Sequence, residues 1–346
     1  MPHLFSPLQL RGTLIRNRVA MAPMCMYSAK DDGIITDWHL AHYLSRATGG
    51  VGLLTTEATS VEPRGRNSWK DLGLWDDSQI GPFSRVVELC KAQGAVVCCQ
   101  LGHSGRKAFG LDRGAGPFKL VAPSAIPYDQ GWVVPHELTI EETGQIVSAY
   151  TSAAGRALQA GFDCVEIHAA HGFLLHQFLS GVTNHRRDKY GGSLENRARM
   201  LLEVVGGIRE KWPEDRPVLV KLSCLDWEEG GLSLRDQIQV IRWLHEKGTD
   251  IVDCSTGHIT AYRPPEWPGY QVPYAEAIRR EVGIPTMAVG LISSPELAEE
   301  IICNGRADMV VLARELLRHP HWTLDAARAL RQEAAWPEQY RVAQQS

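Results

Sequence analysis

The chain has 346 residues, with 36 basic against 40 acidic side chains and a formal net charge of −4. That balance leaves no cationic excess for gripping a phosphate backbone, so nucleic acid is not the expected partner. The length exceeds an average domain but suits one α/β barrel of about 250 residues with insertions, and a single domain over residues 1–346 is expected.

The eight cysteines, Cys25, Cys90, Cys98, Cys99, Cys164, Cys224, Cys254 and Cys303, show no CxxC pair and no zinc-type spacing. Several sit in apolar, strand-like runs and read as free buried thiols in a reducing compartment. The opening MPHLFSPLQLRG lacks a charged leader before an apolar core, and no apolar run approaches the ~20 residues needed to span a bilayer. A soluble cytoplasmic protein is expected, with no membrane partner.

In chain order, short apolar and β-branched runs alternate with polar or glycine-containing turns and amphipathic stretches. The candidate strands are Arg18 to Met24, Val51 to Glu57, Ala95 to Leu101, Cys164 to His168, Pro217 to Ser223, Asp250 to Ser255, Pro285 to Gly290 and Asp308 to Ala313. Helical patterns between them include Thr139 to Ala160, Glu195 to Lys211, Leu234 to Lys247 and Ser294 to Asn304. The last carries start and stop chemistry, with Ser294 as N-cap, Pro295 in the first turn and Asn304-Gly305 at the end. Eight strand-to-helix alternations argue a parallel sheet closed into a (β/α)8 TIM barrel rather than an open doubly wound sheet. No G-x-G-x-x-G follows the first strand, so a Rossmann-type domain has no support. The one long gap, residues 102–138, is rich in Gly, Pro and aromatic residues. It is expected to be a loop insertion over the C-terminal mouth, a lid rather than a second domain.

Active sites of such barrels sit at the C-terminal strand ends, so residues there are read as one site. Strand one ends in Ala22-Pro23-Met24-Cys25-Met26-Tyr27, where a thiol and a phenol two residues apart fit packing as well as a site. Strand two ends in Thr56-Glu57-Ala58-Thr59. Strand three ends in Gln100-Leu101-Gly102, and a buried Gln100 either offers donors and an acceptor to a polar ring edge or is an ordinary loop amide.

The densest polar chemistry lies at strand four, in CVEIHAAHGFLLHQFLSGVTNHRRDKYGGSLENR from Cys164 to Arg197. His168 and His171, with only alanines between, can reach one opening. Two neutral imidazoles side by side can hold and polarise one carbonyl or phenolate oxygen; two metal ligands or two unrelated loop histidines are the alternatives. Strand five holds Lys221 inside an apolar run, where its charge needs an acidic neighbour or an electron-rich ligand edge. After strands seven and eight, Gly290 and Ala313-Arg314 are candidates for holding a phosphate.

HAAHG, LLHQFLS and TNHRRDKYGGSLENR, with APMCMY from Ala22 and QLGHSGR from Gln100, resemble the old yellow enzyme family of FMN-dependent ene-reductases, and more closely its bacterial NADPH dehydrogenase branch. Colinear matches extend the resemblance over nearly the whole chain. It implies FMN as cofactor, NADPH or NADH as reductant and a small enone-type substrate. Ala22, Pro23, Met24 and Cys25 would lie along the flavin, with Cys25 tuning the ring rather than acting as a nucleophile. Ala58 would leave room beside it, Gln100 and Lys221 would bind the ring, and Gly290, Ala313 and Arg314 the phosphate. His168 and His171 would be the catalytic pair on the substrate carbonyl, which disfavours the metal reading, with Tyr27 and Phe173 as substrate contacts.

Three departures from the family pattern stand out. The branch more often has Arg where Lys221 stands, so bidentate geometry is lost, and usually Gly where Ala313 stands. Most consequential is Phe173, two residues after the second histidine, where the family usually has a tyrosine that protonates the substrate α-carbon. General-acid help is typically worth about 10² to 10⁴ in rate. Water or Tyr27 protonates instead, or the substrate needs little help, or the working direction is desaturation of a saturated ketone, in that order. The tail Trp336-Pro337-Glu338-Gln339-Tyr340-Arg341 resembles the segment with which branch members reach a neighbouring subunit's site, though here Arg341 follows Tyr340 directly; a frayed terminus is the alternative. A homo-oligomer, dimer or tetramer, is expected.

The expected reaction is ping-pong reduction of the C=C bond of α,β-unsaturated carbonyl compounds. A ketone desaturase is the alternative. A tRNA dihydrouridine synthase is disfavoured by the acidic balance, and a noncatalytic flavin-binding protein stays open. A dienoyl-CoA reductase of the larger related type is disfavoured by the absence of its extra domains and iron–sulfur cysteines.

Overall fold

The structure is a computed structural model and describes residues 3–30 and 32–345. Eight parallel strands form a closed barrel: β1 (Val19–Met21), β2 (Leu53–Thr55), β3 (Val96–Gly102), β4 (Cys164–Ala169), β5 (Val218–Ser223), β6 (Ile251–Ser255), β7 (Thr286–Ala288) and β8 (Met309–Leu312). The circle closes where β8 pairs with β1, Val310 opposite Val19. Parallel neighbours need long crossovers, and these are α1 (Asp37–Thr48), α2 (Ile80–Ala92), α3 (Ile140–Gln159), α4 (Leu194–Lys211), α5 (Leu234–Glu246), α6 (Val272–Val282) and α7 (Pro295–Cys303), with α8 (Trp322–Ala329) following β8. Every strand expected from the pattern is present, with ends that differ from the expected ones by no more than three residues. The cap expected at Ser294 forms, and a second one, not read from the sequence, stands at Thr139. Ser294 Oγ accepts from Leu297 N at 3.2 Å at the start of α7, and Thr139 and Glu142 close a reciprocal box at the start of α3, each such cap contributing about 1 kcal/mol.

Side-chain alternation along the strands builds the barrel interior in layers. Inward positions of the lower layer are apolar, among them Leu53, Cys98, Cys164, Leu219 and Ile251, and the layer is closed from below by Leu8, Leu10 and Ile15. Those three belong to an antiparallel hairpin, Leu8–Leu10 with Thr13–Ile15, which the sequence pattern had not revealed. Burying each such side chain contributes about 1.5 to 3 kcal/mol. Two or four residues further along the same inward parity, the side chains turn polar: Gln100, Glu166, His168, Lys221, Asp253 and Ser255. Register brings them level, with Gln100 opposite Glu166, Lys221 opposite both His168 and Asp253, and Ser223 opposite Ser255.

The insertion after β3 crosses this polar end. It holds a 3-10 turn, Gly105–Lys107, and a short parallel pair, Val121–Ala122 with His136–Glu137. Arg106 ties it down, donating to the carbonyl oxygens of Pro127 at 3.1 Å and of Ile259, beyond β6, at 2.7 Å. Tyr128 adds a bond from its hydroxyl to Thr260 O at 3.0 Å. All eight cysteines are free thiols. No helix among the described residues is long and apolar enough to cross a membrane. At the C-terminus, residues 338–345 form a 3-10 helix in which Arg341 is exposed and the Tyr340 ring lies 5.5 Å from that of His321.

Candidate active site

The backbone leaving β4 turns sharply at His171, whose φ of +58° is left-handed, and at Gly172, φ +71°. A left-handed residue with a side chain costs roughly 1 to 2 kcal/mol, and here it is held from every side. His171 N donates to Ser223 Oγ at 3.0 Å and His171 O accepts from Lys107 Nζ at 2.8 Å. Gly172 N donates to His176 Nδ1 at 2.9 Å and Gly172 O accepts from Gln177 Nε2 at 2.7 Å. Glycine is required at 172, because a Cβ there would sit 2.3 Å from His258 O.

This turn brings the His168 and His171 rings to 5.2 Å, edge to face at 85°. Ala170 N donates to His168 Nδ1 at 3.4 Å, so the ring hydrogen of a neutral His168 sits on Nε2. His171 Nε2 lies 2.7 Å from Ser255 Oγ. Among the described residues neither His168 Nε2 nor His171 Nδ1 has a protein partner. Burial, with Lys221 and Lys107 adding to it, holds His168 well below the ordinary imidazole value, and burial, His168 and Lys221 do the same for His171. Both rings are therefore neutral at neutral pH, each with one N–H and one lone pair.

Below them, Gln100 Nε2 donates to Glu166 Oε1 at 2.7 Å, and Lys221 is ion-paired with Asp253. Burial alone would lower the Lys221 ammonium, but Asp253 and Glu166 hold it above its usual value. Burial and the charge of Asp253 push Glu166 the other way, toward the protonated acid. Both sequence readings of Lys221 thus meet in one residue, since it has an acidic partner and also faces the cavity.

That cavity, of about 600 Å³, brings together Ala22, Pro23, Gln100, His168, His171, Lys221, Gly290, Ala313 and Arg314 from strands far apart in sequence. Its walls do not include Met24, Cys25, Tyr27, Ala58 or Phe173. Phe173 packs its ring 4.7 Å from that of His168, and Met24 packs on the barrel core. Ala58 faces His168 across Gly102, where a Cβ would be 3.6 Å from His168 Cβ and 3.9 Å from Ala58 Cβ. Cys25 bonds to the Ala58 backbone and is held a thiol by burial and by Asp71 and Glu57. Tyr27 is the outlier, 40% exposed, its hydroxyl accepting from Asn67 Nδ2 at 3.1 Å.

Flavin mononucleotide needs a slot for a planar ring with donors and acceptors at its polar edge, and cations for its phosphate. The residues present fit. Glu166 Oε2 and Asp253 Oδ1 are buried without a partner, Gln100 keeps its carbonyl and a second N–H, and Lys221 supplies a cation beside them. Gly290, φ +123°, leaves a cradle in which a Cβ would meet Gln271 N at 3.1 Å, and Arg314 and Arg318 line the same end of the cavity.

Three residues around the histidine pair escaped the sequence reading. Ser255 and His258 follow from strand six, where nothing had been assigned, although the inward parity Ile251, Asp253, Ser255 points straight to the former. The His258 ring lies 5.4 Å from that of His171, and burial with Arg263 and Lys107 brings it down to about 4. Lys107 comes from the lid and had no local signal beyond its place after Arg106.

Residues 3–333 match the model of the NADH:flavin oxidoreductase / NADH oxidase family. An NADPH dehydrogenase of Listeria monocytogenes is 48% identical over 341 residues, covering 98% of each chain. Among solved structures, an old yellow enzyme homologue from Zymomonas mobilis superposes with a TM-score of 0.81 at 26% identity, covering 96% of this chain and 94% of that one. Morphinone reductase does so with a TM-score of 0.81 at 30% identity, covering 97% and 92%. A likeness that runs through the whole barrel and into the curated relatives end to end leaves one assignment: the chain belongs to the NADH:flavin oxidoreductase / NADH oxidase family, among the old yellow enzymes, with FMN as cofactor and NAD(P)H as reductant.

Proposed function

We propose that the protein reduces the C=C bond of α,β-unsaturated carbonyl compounds in a ping-pong sequence, NAD(P)H leaving before the enone enters. The observation that carries this reading is the pair of neutral imidazoles, 5.2 Å apart, each with a nitrogen left open on one cavity. Bound FMN would supply the hydride chemistry that links NAD(P)H to the substrate β-carbon. His168 Nε2–H and His171 Nδ1–H hold the carbonyl oxygen, where negative charge develops, at about 3 to 4 kcal/mol per preorganised donor. Gln100 and Lys221 hold the polar ring edge, Ala22 and Pro23 its flat surroundings, and Gly290, Ala313 and Arg314 the phosphate, while Met24, Cys25 and Ala58, expected along the flavin, lie outside the cavity walls. Cys25, kept a thiol, serves as a neutral neighbour and not as a nucleophile.

The test is anaerobic stopped-flow of the NADPH-reduced holoprotein against enones, maleimides and nitro compounds. Reoxidation of the flavin with formation of the saturated ketone is expected, and reoxidation by none of the three classes refutes the reading. Phe173 favours a second reading, desaturation of a saturated ketone with dioxygen as electron acceptor, because a residue without an acidic hydrogen does nothing for protonation. It predicts aerobic enone formation without nicotinamide.

A further inference from the structure

Three imidazoles line the cavity: His168, His171 and His258. They stand in a row with His171 in the middle, its ring 5.2 Å from that of His168 and 5.4 Å from that of His258. Among the described residues no ring contact joins the outer two. The enone reading places His168 and His171 on one carbonyl oxygen and leaves His258 without a role.

The backbone holds His258 at the cavity against its own preference. Its φ is +69°, directly after Gly257 at +71°, a left-handed conformation that residues with a side chain rarely adopt. Neighbours fix it on both sides. Gly257 N donates to Leu225 O at 2.7 Å, and Ile259 O accepts from Arg106 Nη2 at 2.7 Å. His258 O itself lies so near Gly172 that a Cβ there would be 2.3 Å away. Strain of this kind persists where the surrounding structure imposes it, and it gathers at binding sites.

Among the described residues neither ring nitrogen of His258 has a hydrogen-bond partner. The charged side chains that act on the ring, Arg263 and Lys107, are both cations, and with burial they keep it neutral at neutral pH. It therefore has one N–H to give.

We propose that His258 is a specificity-determining residue that binds a second carbonyl oxygen, so that the site favours substrates with carbonyls at both ends of the reacting unsaturation, the para-quinones and 2-ene-1,4-diones. This deepens the enone reading and rests on it. The spacing agrees. Two carbonyl oxygens across a six-membered ring stand about 5 Å apart, from two C=O bonds of about 1.2 Å and the width of the ring, which is the step from one imidazole to the next. A site built to hydrogen-bond a substrate group also discriminates against the analogue that lacks it, because its own polar group is then left unpaired.

Phe173 agrees as well. One quinone, one hydride and one proton from water make one hydroquinone, the reduced flavin being oxidised by the two electrons. Both added hydrogens end on oxygen, so no proton has to be placed on a carbon and a phenylalanine beside His168 is no handicap.

The experiment compares native holoprotein with His258→Gly, a change that the left-handed backbone accepts freely. Dissociation constants of phenol and of 1,4-dihydroxybenzene are measured anaerobically on the oxidised protein. The native chain should bind the second ligand about tenfold more tightly, the worth of roughly one hydrogen bond, and His258→Gly should bring the two level. In stopped flow, the ratio of kcat/KM for tetramethyl-1,4-benzoquinone over 2-cyclohexenone should fall by about the same factor in the variant. The nitrogen-15 signals of His258 should move with 1,4-dihydroxybenzene and stay in place with phenol. A histidine that merely braced the turn at His171 would weaken both members of each pair alike, so ratios equal in variant and native chain overturn the assignment. Inertness toward 2-cyclohexenone and every other enone sinks the enone reading, and the two dissociation constants then still decide whether His258 takes a second oxygen.

Discussion

The imidazole Nε2 of His171 lies 2.7 Å from the hydroxyl of Ser255, the last residue of β6. A hydroxyl can give or take a hydrogen bond, and the direction decides what His171 offers the substrate. If Ser255 donates, the ring hydrogen sits on Nδ1 and His171 becomes the second donor beside His168. Ser255→Ala removes that instruction. Phenol binding to the oxidised protein should weaken by about tenfold, the worth of roughly one hydrogen bond, while Ser255→Thr should keep it. Nitrogen-15 NMR of labelled His171 should report an Nδ1–H tautomer in the native protein and a mixture in Ser255→Ala. A native Nε2–H tautomer would sink the idea.

His168→Ala or His171→Ala should slow the oxidative half-reaction by about 10² to 10³, the cost of losing one preorganised donor, and should weaken phenol binding. The pH dependence follows from the direction of the shifts. Both imidazoles are held well below their ordinary value, so the neutral, donating form is complete above that value and is lost only as pH falls far below it. Phenol affinity should therefore show no inflection at the ordinary histidine pKa of about 6.5. A titration with such an inflection would mean that at least one ring is charged in the working range.

Lys221 and Asp253 face each other across β5 and β6, buried and ion-paired. Breaking one partner leaves an uncompensated charge, so Lys221→Met should destabilise the fold by about 3 to 5 kcal/mol, whereas replacing both partners by apolar residues is often neutral. The double variant Lys221→Met/Asp253→Leu should thus recover most of the unfolding midpoint in urea. It should not recover FMN affinity if Lys221 also serves the flavin. Full recovery of both would leave Lys221 a structural ion pair and nothing more.

How much of this was legible in sequence depends on how far apart the interacting parts lie. Inward alternation along a strand is local, so the apolar run around Lys221 and the polar tips of β3 and β4 could be read directly. The hairpin Leu8–Leu10 with Thr13–Ile15 has strands of three residues, too short for a periodic signal. His258 and Lys107 meet His171 only because a lid inserted after β3 docks on loops after β4 and β6. No local pattern encodes that contact.

The left-handed turn that presents His171 depends on a buried chain of bonds beneath it, and this gives the last prediction. Gly172 N donates to His176 Nδ1, so the His176 hydrogen sits on Nε2 and points to Asp226 Oδ1 at 2.7 Å. The other oxygen of Asp226 accepts from Ser180 Oγ at 2.6 Å and Leu232 N at 2.8 Å. Both carboxylate oxygens are acceptors of donors that are themselves fixed, in a spot where His176 and Asp226 side chains are fully buried. Asp226→Asn must turn an NH2 group toward one of these donors, leaving it unsatisfied. A loss of about 3 kcal/mol in unfolding free energy is expected. The turn loses its anchor as well, so phenol binding should weaken in the same variant even though residue 226 lies outside the cavity walls. An Asp226→Asn protein with native stability and native phenol affinity would show that the His171 turn holds its shape without this support.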